Sequence, residues 1–143
     1  MLSYKDQDII NFTESYLIHQ CNCVTNVSKG LAETIFKLYP DANKYIDSNF
    51  KRIPGTISVH DKIINMYAQR YPGKSKYNND TKSQRLEWFK MGLNSLKDLP
   101  NIKSIAVPFK IGCGLAGGDW NEYFKELEIF VEKSGINVVI YKI

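Results

Sequence analysis

The chain has 143 residues, 43% of them hydrophobic, 13% aromatic and 24% charged, with a net charge of +4. That length and balance describe one ordinary globular domain and exclude a disordered or membrane-embedded chain. Apolar runs such as IAV and VVIY fall far short of the roughly 18 residues that span a bilayer, and MLSYKDQD lacks the apolar core of a signal peptide, so a cytoplasmic or nuclear protein is expected.

In chain order, short apolar runs alternate with helical periodicity. Residues 16–19 (YLIH) read as a strand. Residues 31–39 read as a helix with Leu31, Ile35 and Leu38 on one face, stopping before Pro40, which disfavours helical geometry in the residue ahead of it. Residues 56–59 and 63–68 read as strands. Residues 81–96 open with TKSQ, a capping box, and place Leu86, Phe89, Leu93 and Leu96 on one helical stripe. A strand over residues 104–108 is followed by a helix over 120–133, with Tyr123, Leu127, Phe130 and Val131 inward and Gly135 just past its end. Residues 137–142 close the chain as a strand. Several strands are apolar on both faces, as when helices cover a sheet from both sides. The expected fold is a layered α/β domain over residues 1–143 with a mixed, mostly parallel sheet, free of internal repeats and linkers.

Three cysteines do not suggest a disulfide framework, and no second pair completes a zinc site with Cys21 and Cys23; reduced thiols and no metal are expected. The 19 Lys and Arg residues could line a nucleic-acid groove, serve a nucleotide phosphate, or keep the protein soluble. Their one local cluster is RYPGKSK (70–76), interleaved with Tyr71 and Tyr77, and Pro72 and Gly73 mark it as a loop.

Two junctions join a strand end to a helix start through small and polar residues: HQCNCVTNVSKGLAE (19–33) and IGCGLAGGDW (111–120), the second with four glycines in ten residues. At the carboxyl ends of strands in an open α/β sheet, loops expose their amides and helix N-termini carry partial positive charge. Glycines let successive N–H groups converge on an anion with no Cβ in the way. Two such turns suit a ligand with more than one polar segment, such as a nucleotide diphosphate linked to a sugar. There is no GxxxxGK[ST], and GCGLAGG lacks both the dinucleotide-fold spacing and the acidic residue expected about 20 positions later.

The stretches HQCNCVTNVSKGLAETIFKLYPDAN and VPFKIGCGLAGGDWNEYF together resemble the macro domain, in particular the small branch that holds the ADP-ribose 1''-phosphate phosphatases and the terminal ADP-ribose glycohydrolases. The likeness covers nearly the whole chain, including IINMYAQ and the closing VVIYKI. It implies a three-layer α/β/α fold that binds ADP-ribose at the carboxyl ends of its central strands. By the resemblance, Ile111, Gly112, Cys113, Gly114, Leu115, Ala116, Gly117 and Gly118 wrap the diphosphate and distal ribose. Asn22 and the segment through Gly30, Leu31 and Ala32 close over the distal ribose from the opposite side.

The resemblance extends to single residues. QDII (7–10) is similar to the family's GDIT, which gives Asp8 the adenine amino group and the Ile9 amide the ring, with Gln7 in place of glycine. Solvation is the other use open to Asp8. Asn22 matches the asparagine that faces the distal ribose hydroxyls, a role suited to an amide that both donates and accepts; a loop-stabilising hydrogen bond is its alternative. Asp119 is a favoured N-cap type and also matches the aspartate beside the scissile bond, where a carboxylate could act as base for water or stabilise an oxocarbenium-like centre. The glycohydrolase branch also uses a lysine ahead of the second helix; Lys74 and Lys76 are the candidates, and neither sits in a recognisable motif. His19 could protonate a departing group or be held by backbone hydrogen bonds. Cys21, Cys23 and Cys113 read as small buried hydrophobes, and Phe109 and Tyr141 as an aromatic wall for adenine or as core.

The resulting expectation is a monomeric ADP-ribose-binding hydrolase, without metal, cofactor or membrane partner, that removes a group from the 1'' position. ADP-ribose 1''-phosphate is the first expected substrate and ADP-ribosylated protein or nucleic acid the next. A non-catalytic reader of ADP-ribose and a nucleic-acid binder acting through RYPGKSK are the alternatives.

Overall fold

Strands that are apolar on both faces need cover on both sides, and the computed structural model, which describes residues 1–143, supplies it. The elements are β1 (Leu2–Lys5), β2 (Tyr16–Gln20), α1 (Leu31–Leu38), β3 (Ile57–His60), β4 (Ile63–Met66), α2 (Lys82–Leu96), β5 (Ser104–Pro108), α3 (Trp120–Ser134) and β6 (Asn137–Tyr141). They build one six-stranded sheet in the order β1-β6-β5-β2-β4-β3. Every pairing is parallel except β3 with β4.

Side chains alternate along β2, so Leu17 and His19 face one layer while Ile18 and Gln20 face the other. On one side α2 and α3 press Phe89, Leu93, Leu96, Tyr123 and Leu127 onto Ile18, Ile64 and Ile105. On the other, Ile35 and Phe36 of α1, with Ala42 and Tyr45 beyond it, cover Leu17, Ile63 and Ala106. Each such fully buried aliphatic or phenyl side chain contributes about 1.5–3 kcal/mol, which is what fixes the three layers. The expected α/β/α architecture is therefore the observed one.

Local signals set the helix ends. Thr81 Oγ1 accepts from the Gln84 amide at 3.1 Å and Gln84 Oε1 accepts from the Thr81 amide at 2.8 Å, which completes the capping box ahead of α2. Gly135, at φ 74°, closes α3 in the left-handed region. The strand expected over 63–68 ends two residues early: the Tyr67 amide still bonds to the Thr56 carbonyl ahead of β3, but the Ala68 amide bonds back to the Met66 carbonyl and turns the chain. The strand expected over 56–59 lies at Ile57–His60, and Asp61, at φ 55°, makes the reversal into β4. Sequence periodicity did not announce β1, a four-residue edge strand that pairs only with β6. No helix is long and apolar enough to cross a membrane.

The connections diverge at the middle of the sheet. From β2 the chain moves outward to β3 and β4; from β5 it moves outward the other way to β6. The loops that leave the carboxyl ends of adjacent β2 and β5 therefore part from each other, and a crevice opens between them.

Candidate functional site

A cleft of about 530 Å³ occupies that crevice, walled by three loops. The loop after β2 contributes Asn22, Thr25, Gly30, Leu31 and Ala32; the one after β4, Gln69, Pro72 and Gly73; the one after β5, residues 111–116. A second hollow of about 420 Å³ lies between α2 and α3, lined by helix-face residues of both charges such as Glu87, Lys90, Glu126 and Lys133. No strand end or loop opens into it, so the crevice cleft is the candidate site.

The glycines of IGCGLAGGDW divide by purpose. Gly112 has φ 74°, and a Cβ there would stand 2.6 Å from Cε2 of Tyr123. A Cβ at Gly118 would stand 2.6 Å from the Gly112 carbonyl oxygen, which accepts from the Gly118 amide at 3.0 Å. These two glycines let the loop fold flat onto the Tyr123 ring of α3. Gly117, at φ 76°, lies under the stem of Lys74, whose Cγ would be 3.1 Å from an added Cβ. Only Gly114 has open space where a side chain would project. Close approach inside the protein thus explains most of the run; the amides of Gly114, Leu115 and Ala116 take no acceptor within the protein, and Leu115 is 85% exposed.

The loop after β2 is shaped by its own side chains. Asn22 Oδ1 accepts from the amides of Val24 at 3.1 Å and Thr25 at 2.9 Å, which fixes the carboxamide with its Nδ2 pointing away from them, 3.4 Å from Tyr45 Oη. Its oxygen is committed to the loop, and any further bond from this side chain is a donated one. Arg52 reaches the Asn22 carbonyl at 3.2 Å and stands over the Tyr45 ring.

His19 does not offer the acid chemistry expected of it. It is buried, with Nε2 2.7 Å from Asn65 Oδ1, and Asn65 Nδ2 donates to the Ala42 carbonyl at 2.7 Å. Because that carbonyl can only accept, the Asn65 amide has one orientation, its oxygen faces the ring, and Nε2 carries the proton. Burial pushes the imidazole pKa down to about 4, against a smaller opposing effect of the Asn65 bond, so at neutral pH it has no second proton to give. Its partner proved to be a side chain rather than backbone. Burial likewise pushes the Cys21 thiol up to about 12 and those of Cys23 and Cys113 up to about 11, which leaves no thiolate nucleophile.

Most expected site residues gather at the cleft: Asn22, Gly30, Leu31, Ala32, Ile111, Gly112, Cys113, Gly114, Leu115 and Ala116 all line it, with His19 at its base. Asp8, Ile9, Gly117, Gly118 and Asp119 stand outside its lining. Asp8 caps a short 3-10 turn (Ile9–Asn11) by accepting from the Ile10 amide at 3.1 Å, and Ile9 is buried in the core. Asp119 caps α3, its Oδ1 accepting from Asn121 N at 3.0 Å, and is exposed. Tyr141 is buried and donates its hydroxyl to Glu14 at 2.6 Å, while Phe109 joins Tyr4 and Trp120 in an aromatic cluster.

Sequence reasoning missed the residues that hold the third wall. Arg85, 2% exposed within α2, makes two hydrogen bonds to the fully buried Asp80 and donates to the carbonyls of Gly73 at 2.7 Å, Tyr71 at 3.1 Å and Ala116 at 3.3 Å. Asp80 also accepts from the amides of Arg70 and Tyr71. Burial works against its charge, but these hydrogen bonds outweigh it and hold the carboxyl below its ordinary pKa. One guanidinium therefore ties the loop after β4 to the glycine loop. Gln20 and Gln69, which no sequence pattern singles out, also line the cleft.

No protein-family model matches the chain. The DNA ADP-ribosyl glycohydrolases of Mycobacterium tuberculosis (strain ATCC 25618 / H37Rv) and Mycobacterium bovis (strain BCG / Pasteur 1173P2) are each 27% identical to it over 151 aligned positions, covering 99% of this chain. The chain spans 42% of the length of these curated relatives. Among solved structures, the macrodomain of Mycobacterium tuberculosis DarG superposes with a TM-score of 0.80 at 26% identity, over 100% of this chain and 98% of that one. Thermosipho africanus DarTG in complex with ADP-ribose superposes with a TM-score of 0.74 at 22% identity, over 98% of this chain and 41% of that one.

Proposed function

We propose, from the premise that this chain is a macro domain, that its cleft binds ADP-ribose and that it hydrolyses the bond between the 1'' carbon and a substituent. The observation that carries the reading is the crevice itself: a cleft at the switch point of the sheet, walled by a glycine loop with free amides, in a fold shared with a protein solved in complex with ADP-ribose. The amides of Gly112, Gly114, Leu115 and Ala116, which take no acceptor within the protein, hold the diphosphate, and Asn22 Nδ2 donates to a distal ribose hydroxyl.

Asp119 supplies the base. One of its oxygens caps α3, and the other takes no protein hydrogen bond. From there it would accept a proton from the attacking water as the C1''–substituent bond breaks and the substituent leaves. Lys74 is favoured over Lys76 as the assisting lysine, because its stem lies along Gly117, two residues from Asp119. Its ammonium would steady negative charge on the diphosphate or departing group. His19 has no proton-transfer role in this scheme.

The first substrate reading is ADP-ribosylated nucleic acid, favoured by the 27% identity along nearly the whole chain to the two DNA ADP-ribosyl glycohydrolases. The second is ADP-ribose 1''-phosphate, favoured by the likeness of the CNC loop and GLAGGDW to the phosphatase branch. The experiment is incubation of wild type and Asp119→Ala with three substrates: an ADP-ribosylated oligodeoxynucleotide, ADP-ribose 1''-phosphate, and a glutamate-linked ADP-ribosyl peptide. Free ADP-ribose released by wild type and lost in Asp119→Ala is the expected result. Tight ADP-ribose binding with no product from any substrate would make the protein a reader. Salt-sensitive binding of an unmodified oligonucleotide that ADP-ribose does not compete would assign RYPGKSK to nucleic acid instead.

A further inference from the structure

Gln20 Oε1 is buried in the wall of the cleft and has no hydrogen-bond partner, alone among buried side-chain nitrogens and oxygens of the protein. Leaving such an acceptor unpaired destabilises the fold, so a fold that keeps one has a use for it.

Its orientation follows from a short relay. The Tyr71 carbonyl can only accept, so Gln69 turns its amide nitrogen to it, at 2.9 Å. That leaves Gln69 Oε1 facing Gln20, which must answer with its own nitrogen, at 2.7 Å. Gln20 Oε1 is therefore the free end of the relay, and a flip of either carboxamide would set two donors or two acceptors against each other. The backbone carbonyl that anchors the relay is itself held by Arg85 at 3.1 Å. Gln20 Oε1 lies against the bare Cα of Gly112, where an added Cβ would stand 2.9 Å away.

We propose that Gln20 is a specificity-determining residue of the cleft: its Oε1 accepts a hydrogen bond from a ribose hydroxyl of the bound ligand. The chemistry excludes the other parts of an ADP-ribose-like molecule that the glycine loop meets. A diphosphate at neutral pH presents acceptors only and would be repelled by this oxygen. A sugar hydroxyl both donates and accepts, and the side chains that line the cleft include a free acceptor, Gln20 Oε1, and a donor, Asn22 Nδ2. Gln69 acts through Gln20 and is a positioning residue. The inference rests on the ADP-ribose reading and adds to it an acceptor for the distal sugar beside the Asn22 donor.

The test compares calorimetric affinities for ADP-ribose and for ADP, which lacks the distal ribose, on wild type and Gln20→Met, a substitution that keeps the length and removes the acceptor. Loss of one neutral hydrogen bond predicts ADP-ribose binding weakened about 3- to 10-fold with ADP binding unchanged. Equal weakening of both ligands, or of neither, overturns the proposal, because a merely structural role would not discriminate between them. If Gln20→Met loses its thermal transition, Gln20→Asn, which keeps an amide but withdraws it by one methylene, must show the same selective loss. Absence of any ADP-ribose affinity in folded wild type would instead defeat the functional reading itself, so the two failures are distinguishable.

Discussion

Replacing Arg85 by Met keeps the bulk of the side chain in α2 and removes its guanidinium. Asp80 would stay buried with two amide donors, from Arg70 and Tyr71, and the carbonyls of Gly73, Tyr71 and Ala116 would lose a donor. Removing one partner of a buried pair typically costs about 3–5 kcal/mol, a large share of the roughly 5–15 kcal/mol that holds a domain together. At about 3 °C per kcal/mol for a chain of this size, the melting temperature should fall by about 9–15 °C. Urea unfolding followed by circular dichroism measures the cost directly, with an unchanged slope showing that the unfolding transition is still the same one. Arg85→Met combined with Asp80→Asn should recover part of the loss, since the stranded charge goes with it. A cost below about 1 kcal/mol would refute the reasoning, because it would mean that the pair is hydrated and the two loops are not joined by it.

His19 predicts a pH dependence with a definite sign. Its folded pKa lies near 4 and its ordinary value is 6.5, so the unfolded chain binds the proton first, and stability present above about 6.5 is lost as pH falls toward 4. Denaturation midpoints should show a loss of about 2 kcal/mol from this group between about pH 7 and about pH 5, and a His19→Gln variant with the same slope would sink the assignment. The division of labour among the loop glycines predicts that Gly118→Ala destabilises by about 1–3 kcal/mol through collision with the Gly112 carbonyl and Tyr123, while Gly114→Ala leaves the melting temperature unchanged and weakens ADP-ribose binding. A stable Gly118→Ala would show that the loop does not press on the Tyr123 ring.

The features legible in the sequence were those governed by local rules. The three helices, their capping box and their terminal glycine follow from short-range periodicity and hydrogen bonding, and the two strand-to-helix junctions marked the ends of the sheet where the cleft lies. What escaped depends on partners far away in the chain. Arg85 stands among polar residues in KSQRLEW and reads as solvent-facing; it is interior because Asp80 and three carbonyls from two loops converge on it. Gln20 gains its meaning only from Gln69, and His19 its tautomer only from Asn65 and Ala42. β1 was invisible because a four-residue edge strand with one neighbour has too few constraints to impose a pattern.

The three walls of the cleft come from residues 20–32, 69–73 and 111–116, drawn together by parallel pairings that no hairpin could shortcut. Loop-closure entropy must be overcome before such distant partners reward the chain, so this region has high contact order and belongs to the slow part of folding. A ligand that touches all three walls finds its complement only on molecules that have finished that search. Its binding during refolding would therefore count completed molecules, trailing any signal from the helices, and make the cleft a clock for the final step of assembly.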